Sequence, residues 1–552
     1  MKSNNFYWKS AAREFSRFLS MGDREKWSQT YGCYDRTYWS WKFTDFPGAR
    51  YQESVYALGV LAERGGQTQD EKNYFEELWK SSLLYWTTIQ HRDGSFDEAY
   101  PQEKSFAATA FTLFYIGQSI QERHNKLSKD RTNDVMRTIH KAADWLCMNQ
   151  ETHGVLSNHI AAGAAALETA YLLTQEKKYR ERSEFFIQFI LSKQSKEGWY
   201  EEYGGADPGY QTHTTFYLAQ TWLTNRSPSL LESLNKSMVF LNCLISPTGS
   251  LGGICGSRNT EFFMPAGFEI LAPYSAIAQE ICRKMRPFFE RDRTVGLSHM
   301  DPQNFLPFLN NYLYASKYMM VSNPIKEQVT EKAPQNLSSD ILFPEAGIYI
   351  MNKRHYMVIV NLFKGGVVCA YFHDKKKRIT PYVDGGLWVQ LVNGKKYTSQ
   401  VFNTHSLFKC KGEKVAIETK LGDFNQKMMT PFLFLGFRIL TEMTFFSEKV
   451  NYAIKKILVL LLVSRKKLTH IRYKREIAFL ENEILLTDHL SGIHPKKIKT
   501  IYWGGKFSSI HMGSSRYFSH EESQNKSDVK VITGSQILSF FKEGRSKIWN
   551  NT

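Results

Sequence analysis

The feature that most constrains this chain is a turn that recurs four times between helix-like segments. At DGSFDEAYPQEKSFAATAF, HGVLSNHIAAGAAALETAYLL, EGWYEEYGGADPGYQTHTTFYLAQTW and TGSLGGICGSRNTEFFMPAGFEIL, a short turn with glycine precedes a new apolar helix. The turn glycines Gly94, Gly154, Gly198 and Gly249 are 60, 44 and 51 residues apart, about one helical hairpin each. A single helix pair cannot bury its apolar face alone, so repeats of this kind stack into a solenoid or close into a ring. Small residues in AAGAAALETA favour closure, because they let an inner helix approach its neighbours. Loops that precede inner helices open at one end of such a ring. Polar residues on the four glycine loops should therefore converge on one cleft.

Apolar residues fall at helical spacing over 51–63, 105–122, 135–149, 160–174, 179–193, 213–224 and 230–244. From about Ile341 the pattern becomes short runs rich in β-branched and aromatic residues, such as AGIYIMNK, HYMVIVNLF, GGVVCAYF and KIKTIYWGG. The run Ile457 to Val463 reads as a buried strand, since it is too short to span a bilayer. With 552 residues the chain exceeds what one core serves. The expected fold class is multidomain α then β. An (α/α) toroid occupies 1–320, a polar linker 321–340 and an antiparallel β-sandwich 341–552.

The formal charge of +17 is unevenly placed. Residues 1–320 carry 35 basic and 35 acidic side chains, and the remainder carries 36 and 19. A basic surface attracts polyanions. No nucleic-acid motif accompanies it, so an acidic polysaccharide or oligosaccharide is the expected partner, beside the plainer reading of a general bias towards lysine. Seven scattered cysteines suggest no disulfide framework and fit a reducing compartment. No apolar leader follows the N-terminal methionine, so a cytoplasmic location is expected.

Four groups of residues carry chemistry. Asn158 and His159 stand at the start of a helix, where the asparagine could equally be an N-cap. The loop EEYGGADPGYQTHTTFY brings Glu202, Asp207, Tyr210, His213 and Tyr217. With a helix starting near Gln211, His213 and Tyr217 share one face and offer an acid/base pair. Arg258 and Asn259 in GSRNTEFF suit carboxylate recognition, and Trp39, Trp41 and Arg50 add aromatic and cationic groups suited to a sugar cleft. In the β half, His373, Asp374, Asp384 and His405 form a loose set that can hold a structural zinc. No cofactor is required by this reading.

Together these groups suit elimination at a uronic acid. The substrate carboxylate must be neutralised, a base must take the adjacent proton, and an acid must protonate the departing oxygen. Asn158, with His159 or Arg258, serves the first need. His159 or His213 serves the second, and Tyr217 or Tyr210 the third.

These residues resemble those of the heparinase II/III-like and alginate-lyase-like polysaccharide lyases. That family joins an incomplete (α/α) toroid to an antiparallel β-sandwich and follows an Asn-His dyad, some fifty-odd residues later, with a catalytic tyrosine. SNH at Asn158-His159 matches the dyad. Tyr217 lies 58 residues after His159 and Tyr210 lies 51 after it. GYQTHTTFY resembles the segment around the tyrosine, and PEAGIYIMNK the start of the sandwich. FHDKKKRITPYVDGG departs from the family's His-x-His-x-Asp stretch. The resemblance implies a lyase of a uronate-containing glycan, with Asn158, His159, His213 and Tyr217 catalytic. Two alternatives stand beside it. One is a glycoside hydrolase using paired carboxylates among Asp35, Asp97, Glu202 and Asp207. The other is a non-catalytic carbohydrate-binding or assembly protein.

Overall fold

A computed structural model describes residues 5–151, 154–319, 340–373, 378–424, 430–443, 450, 453–454, 467–509 and 529–549. Residues 321–339 of the expected linker, Asp374 and the apolar run Ile457 to Val463 lie outside the described residues.

The helical half is a two-layered ring. Its inner helices are α3 (Ser54–Arg64), α5 (Phe106–Arg123), α7 (Ser157–Thr174), α9 (Pro208–Asn225), α11 (Ala266–Leu271) and α13 (Pro302–Met319). Each packs on the next, and α13 returns to pack on α3. The outer layer is α4 (Gln69–Thr88), α6 (Lys129–Met148), α8 (Lys177–Lys193), α10 (Pro228–Leu244), α12 (Ala276–Glu290) and the N-terminal α1 (Phe6–Arg13). The inner wall is low at α11, which has only six residues.

Local sequence explains the boundaries. Thr68 and Glu71 form a reciprocal capping box at the start of α4. Ser227 caps α10, with Pro228 opening the helix. The inner helices α7 and α9 are buried almost all round, as broad apolar character requires.

Three of the four recurring turns share one geometry. His91, Ser195 and Ser246 each donate a backbone N–H to the carbonyl four residues on, and accept one from Gly94, Gly198 or Gly249. At Gly94 and Gly198, φ is 101° and 97°, a region costly for other residues. An added Cβ would also lie 2.2 Å from the Lys141 carbonyl oxygen and 2.3 Å from that of Lys236. A glutamine completes two of these turns. Gln90 Nε2 donates to the carbonyls of Gly94 and Thr138, and Gln194 Nε2 to those of Gly198 and Ser233. Gly154 differs, because an added Cβ there meets no described atom within 4 Å.

The β half contains two antiparallel sheets. The smaller comprises β3 (Ile341–Phe343), β4 (Ile348–Asn352), β5 (Tyr356–Asn361), β6 (Val367–His373) and β7 (Ile379–Asp384) in sequential order. The larger is built around β8 (Leu387–Leu391), β11 (Lys414–Asp423), β12 (Leu468–Phe479), β13 (Glu483–Ser491) and β14 (Ile498–Trp503). Val358, Val360, Val368 and Ala370 of one sheet share a core with Val415, Ile417, Ile477 and Leu486 of the other, which makes the pair a sandwich. The opposite face of the smaller sheet joins the toroid core through Ile348, Ile350, Ile359, Val367 and Cys369. This alternation along each strand is the period-two pattern of a sheet buried on both faces.

Candidate active site

The glycine loops do converge. Phe111, on inner helix α5, is the hub. The Arg50 guanidinium lies 4.6 Å from its ring centroid. His213 and Tyr217 stack against it, each at 5.6 Å, and His159 meets it edge-on at 5.6 Å. Four separately predicted residues thus surround one side chain that the sequence left among core phenylalanines.

Asn158 is not a cap. Leu156 occupies the N-cap of α7 without a side-chain bond. The buried Asn158 instead donates Nδ2 to Glu202 Oε1 at 2.8 Å. The two loops are tied further. Leu156 forms a β-bridge with Glu202, Ser157 Oγ donates to the Glu201 carbonyl, and Tyr203 N–H donates to the Val155 carbonyl. The Asn-His turn is therefore fastened to the next active loop.

The pKa values of the two imidazoles are pushed in opposite directions. His159 Nδ1 lies 2.7 Å from Glu151 Oε2. Burial opposes its charge, but the hydrogen bond and charge of Glu151 outweigh this, so its pKa is raised. Burial pushes His213 well below the ordinary imidazole range, helped by the Arg50 and His159 charges. His213 is buried, and its Nε2 finds no hydrogen-bond partner among the described residues. Burial also pushes the Glu202 carboxyl up to about 7, against the pull of His159 and Asn158.

Arg50 is held in place by Glu53 at 2.8 Å and Glu98 at 3.3 Å. Arg258 lies over the Tyr203 ring at 4.2 Å, and its charge reaches Glu202. Tyr217 and Tyr210 are placed differently. Tyr217 sits two turns into α9, fully buried among Phe111, Phe114 and Tyr115. Burial and the neighbouring Tyr115 raise its pKa well above the usual phenol value. Tyr210 is half-buried in the first turn, edge-on to Phe262 at 5.4 Å. The helix starts at Pro208 rather than near Gln211, because Asp207 caps it by accepting the Tyr210 N–H.

Other expected residues lie outside this cluster. Asn259 bridges to the β half, donating Nδ2 to Ser508 Oγ at 2.6 Å and accepting from Lys364 Nζ. Trp39 donates Nε1 to the Met21 carbonyl, and Trp41 is 62% exposed, stacked on Phe43. His373, Asp384 and His405 are not assembled as metal ligands. Asp384 is buried against Arg475 at 2.8 Å, and His405 stands in an exposed loop. Among the described residues no three His, Cys, Asp or Glu side chains group as a metal site requires. No helix there is long and apolar enough to cross a membrane.

Residues 44–261 match the family model described as the ulvan lyase N-terminal domain. The matched stretch lies within the toroid and spans Arg50, Phe111, both histidines and the loop that bears Arg258. The fold is similar to that of chondroitin AC lyase from Streptomyces coelicolor A3 in complex with chondroitin sulphate. The TM-score is 0.55 at 9% identity, over 91% of this chain and 68% of that chain. A tyrosine-to-alanine mutant of that enzyme gives 0.50 at 8% identity with the same coverage. No curated protein matches the sequence.

Proposed function

We propose that the chain cleaves a uronate-containing acidic glycan by β-elimination at the cluster around Phe111. The observation that carries this reading is the opposed pair of histidines. Glu151 favours the charged form of one imidazole, and burial favours the neutral form of the other, both of them packed on the ring of one phenylalanine. Environments that split two like groups in this way assign them different roles.

His159 as imidazolium, with Arg258 and the second N–H of the Asn158 amide, neutralises the substrate carboxylate. That makes the neighbouring carbon acid removable. His213, neutral at physiological pH, accepts the proton at Nε2. Tyr210, in the first turn of α9, protonates the departing glycosidic oxygen. Tyr217 supports this arrangement by packing beside His213 against Phe111. Of the four carboxylates weighed for a hydrolase, Glu202 alone lies in the cluster, and the other three are committed elsewhere. Asp35 accepts from the backbone of Thr37, Tyr38 and Gly48. Asp97 accepts from Gln102 and Lys104, and Asp207 from Tyr210 and Arg258.

The test is incubation with ulvan, chondroitin sulphate and heparan sulfate while following the ultraviolet absorbance of the unsaturated uronide. His213→Ala should lower turnover by about 100-fold or more. Reducing ends released without that absorbance would favour the hydrolase. Binding without turnover of any polymer would favour a non-catalytic carbohydrate-binding protein.

A further inference from the structure

Seven cysteines are present, all reduced, and two of them meet across the boundary between toroid and sandwich. Cys255 ends the short turn Gly253–Cys255, and Cys369 lies within β6. Their sulfurs are 3.0 Å apart, although the residues are 114 positions apart in sequence. Both side chains are buried. We propose that Cys255 and Cys369 are a latent disulfide that, once formed, staples the loop bearing Arg258 to the β half.

The geometry favours the bond. A disulfide has a sulfur separation of about 2.05 Å, so closure needs an approach of roughly 1 Å. The fold has already brought the two residues together, which removes the entropic cost of searching a long loop. Both backbones are gripped. Asn361 Nδ2 donates to the Cys255 carbonyl at 2.6 Å. Lys364 Nζ donates to the carbonyls of Ile254 and Gly256 at 2.6 and 2.8 Å. Cys369 is paired with Ile359 on one side and Val383 on the other. A small cavity of about 20 Å³ touches Cys369 beside Glu261, Tyr371 and Lys506.

The oxidant is a low-molecular-weight disulfide. One cysteine thiolate attacks it, forming a mixed disulfide and releasing one small thiolate. The second cysteine thiolate attacks the protein sulfur of that mixed disulfide and releases the other. Two electrons pass from the cysteine pair to the small disulfide, and the two protons leave with the two released thiols. The hydrogen bond from Cys255, together with burial, holds the Cys369 thiol well above the ordinary range. Exchange is therefore slow at neutral pH and quickens as the medium becomes alkaline.

The experiment treats the full chain with bis(2-hydroxyethyl) disulfide at alkaline pH, blocks the remaining thiols and maps the peptides by mass spectrometry. The expected result is a fragment joining Cys255 to Cys369, two hydrogens lighter than its reduced parts and released by dithiothreitol. The thermal midpoint of the oxidised protein should rise by several degrees and fall back on reduction. Cys255→Ser and Cys369→Ser should each abolish that rise. Adducts on the partly exposed Cys147 or Cys243 without the joined fragment would overturn the proposal, with no need for a folded variant. A joined fragment with an unchanged midpoint would overturn its role as a staple.

Discussion

The carboxylate of Glu151 lies 2.7 Å from Nδ1 of His159, and its side chain is only 2% exposed. That pair favours the charged form of His159 beside Phe111. Because the folded pKa of His159 is raised, the stability drawn from the pair is complete below the ordinary imidazole value. It is lost as pH rises through the raised value. Glu151→Gln should bring the His159 titration, followed by NMR, back towards the ordinary imidazole value. The alkaline limb of the turnover profile should move to lower pH with it. A titration that does not move would show that Glu151 is not the group holding the charge.

The two tyrosines separate by depth. Tyr210→Phe should reduce turnover by about 100-fold with little change in KM. Tyr217→Phe should change turnover less than tenfold, on the order of what loss of one positioning contact costs. Steady-state kinetics on the responsive polymer decides between them. The reverse order would move the acid to the buried phenol and require the cleft to open beneath Phe111.

Lys364 is fully buried and reaches across from the sandwich to Ile254, Gly256 and Asn259. Lys364→Met should destabilise the protein by about 2–4 kcal/mol, since it strands buried carbonyl oxygens. It should also raise KM more than it lowers kcat, because Arg258 rides on the same loop. Urea unfolding and kinetics read the two effects separately.

In the sandwich, Arg475 is buried between Asp384 and Asp488, at 2.8 and 2.7 Å. Arg475→Met leaves two buried carboxylates facing each other and should cost about 3–5 kcal/mol. Burial already raises the Asp384 pKa despite Arg475. The variant should therefore recover part of its loss at acidic pH, where the stranded carboxylates take up protons. Denaturant melts at two pH values test this.

The recurring turn makes a differential prediction. Gly94→Ala and Gly198→Ala drive a methyl group into a backbone carbonyl and should destabilise by more than about 3 kcal/mol, beyond the roughly 1 kcal/mol of the left-handed conformation alone. Gly154→Ala should incur only the smaller cost. Thermal melts of the three variants make the comparison.

The toroid was legible because its repeat is periodic. Helical spacing and turn glycines survive in the sequence whatever the rest of the fold does. Asn158, His159 and His213 were legible as polar residues that follow those turns, and Arg50 as a cation in an aromatic stretch, and they meet at one place. Phe111 was not, because within FAATAFTLFYIG nothing distinguishes the phenylalanine that faces the cleft from its neighbours in the core. Glu151 precedes the turn as one more surface-type acid, and its pairing depends on the fold of that turn. Lys364 was hidden for a related reason, since a lysine after a strand reads as solvated until another domain covers it. The His/Asp set of the sandwich was misleading as a ligand set because Asp384 finds its partner in Arg475, 91 residues away.

The turn before the Asn-His pair is attached to the hairpin that holds Glu202 rather than pressed on the outer wall. Those two segments should therefore change together over evolutionary time. A graft that exchanges one of them with a relative's segment and keeps the other would break the bridge between Leu156 and Glu202. Exchanging both would leave the riveted turns at Gly94 and Gly198 undisturbed. In this architecture the heritable unit of specificity is a pair of loops.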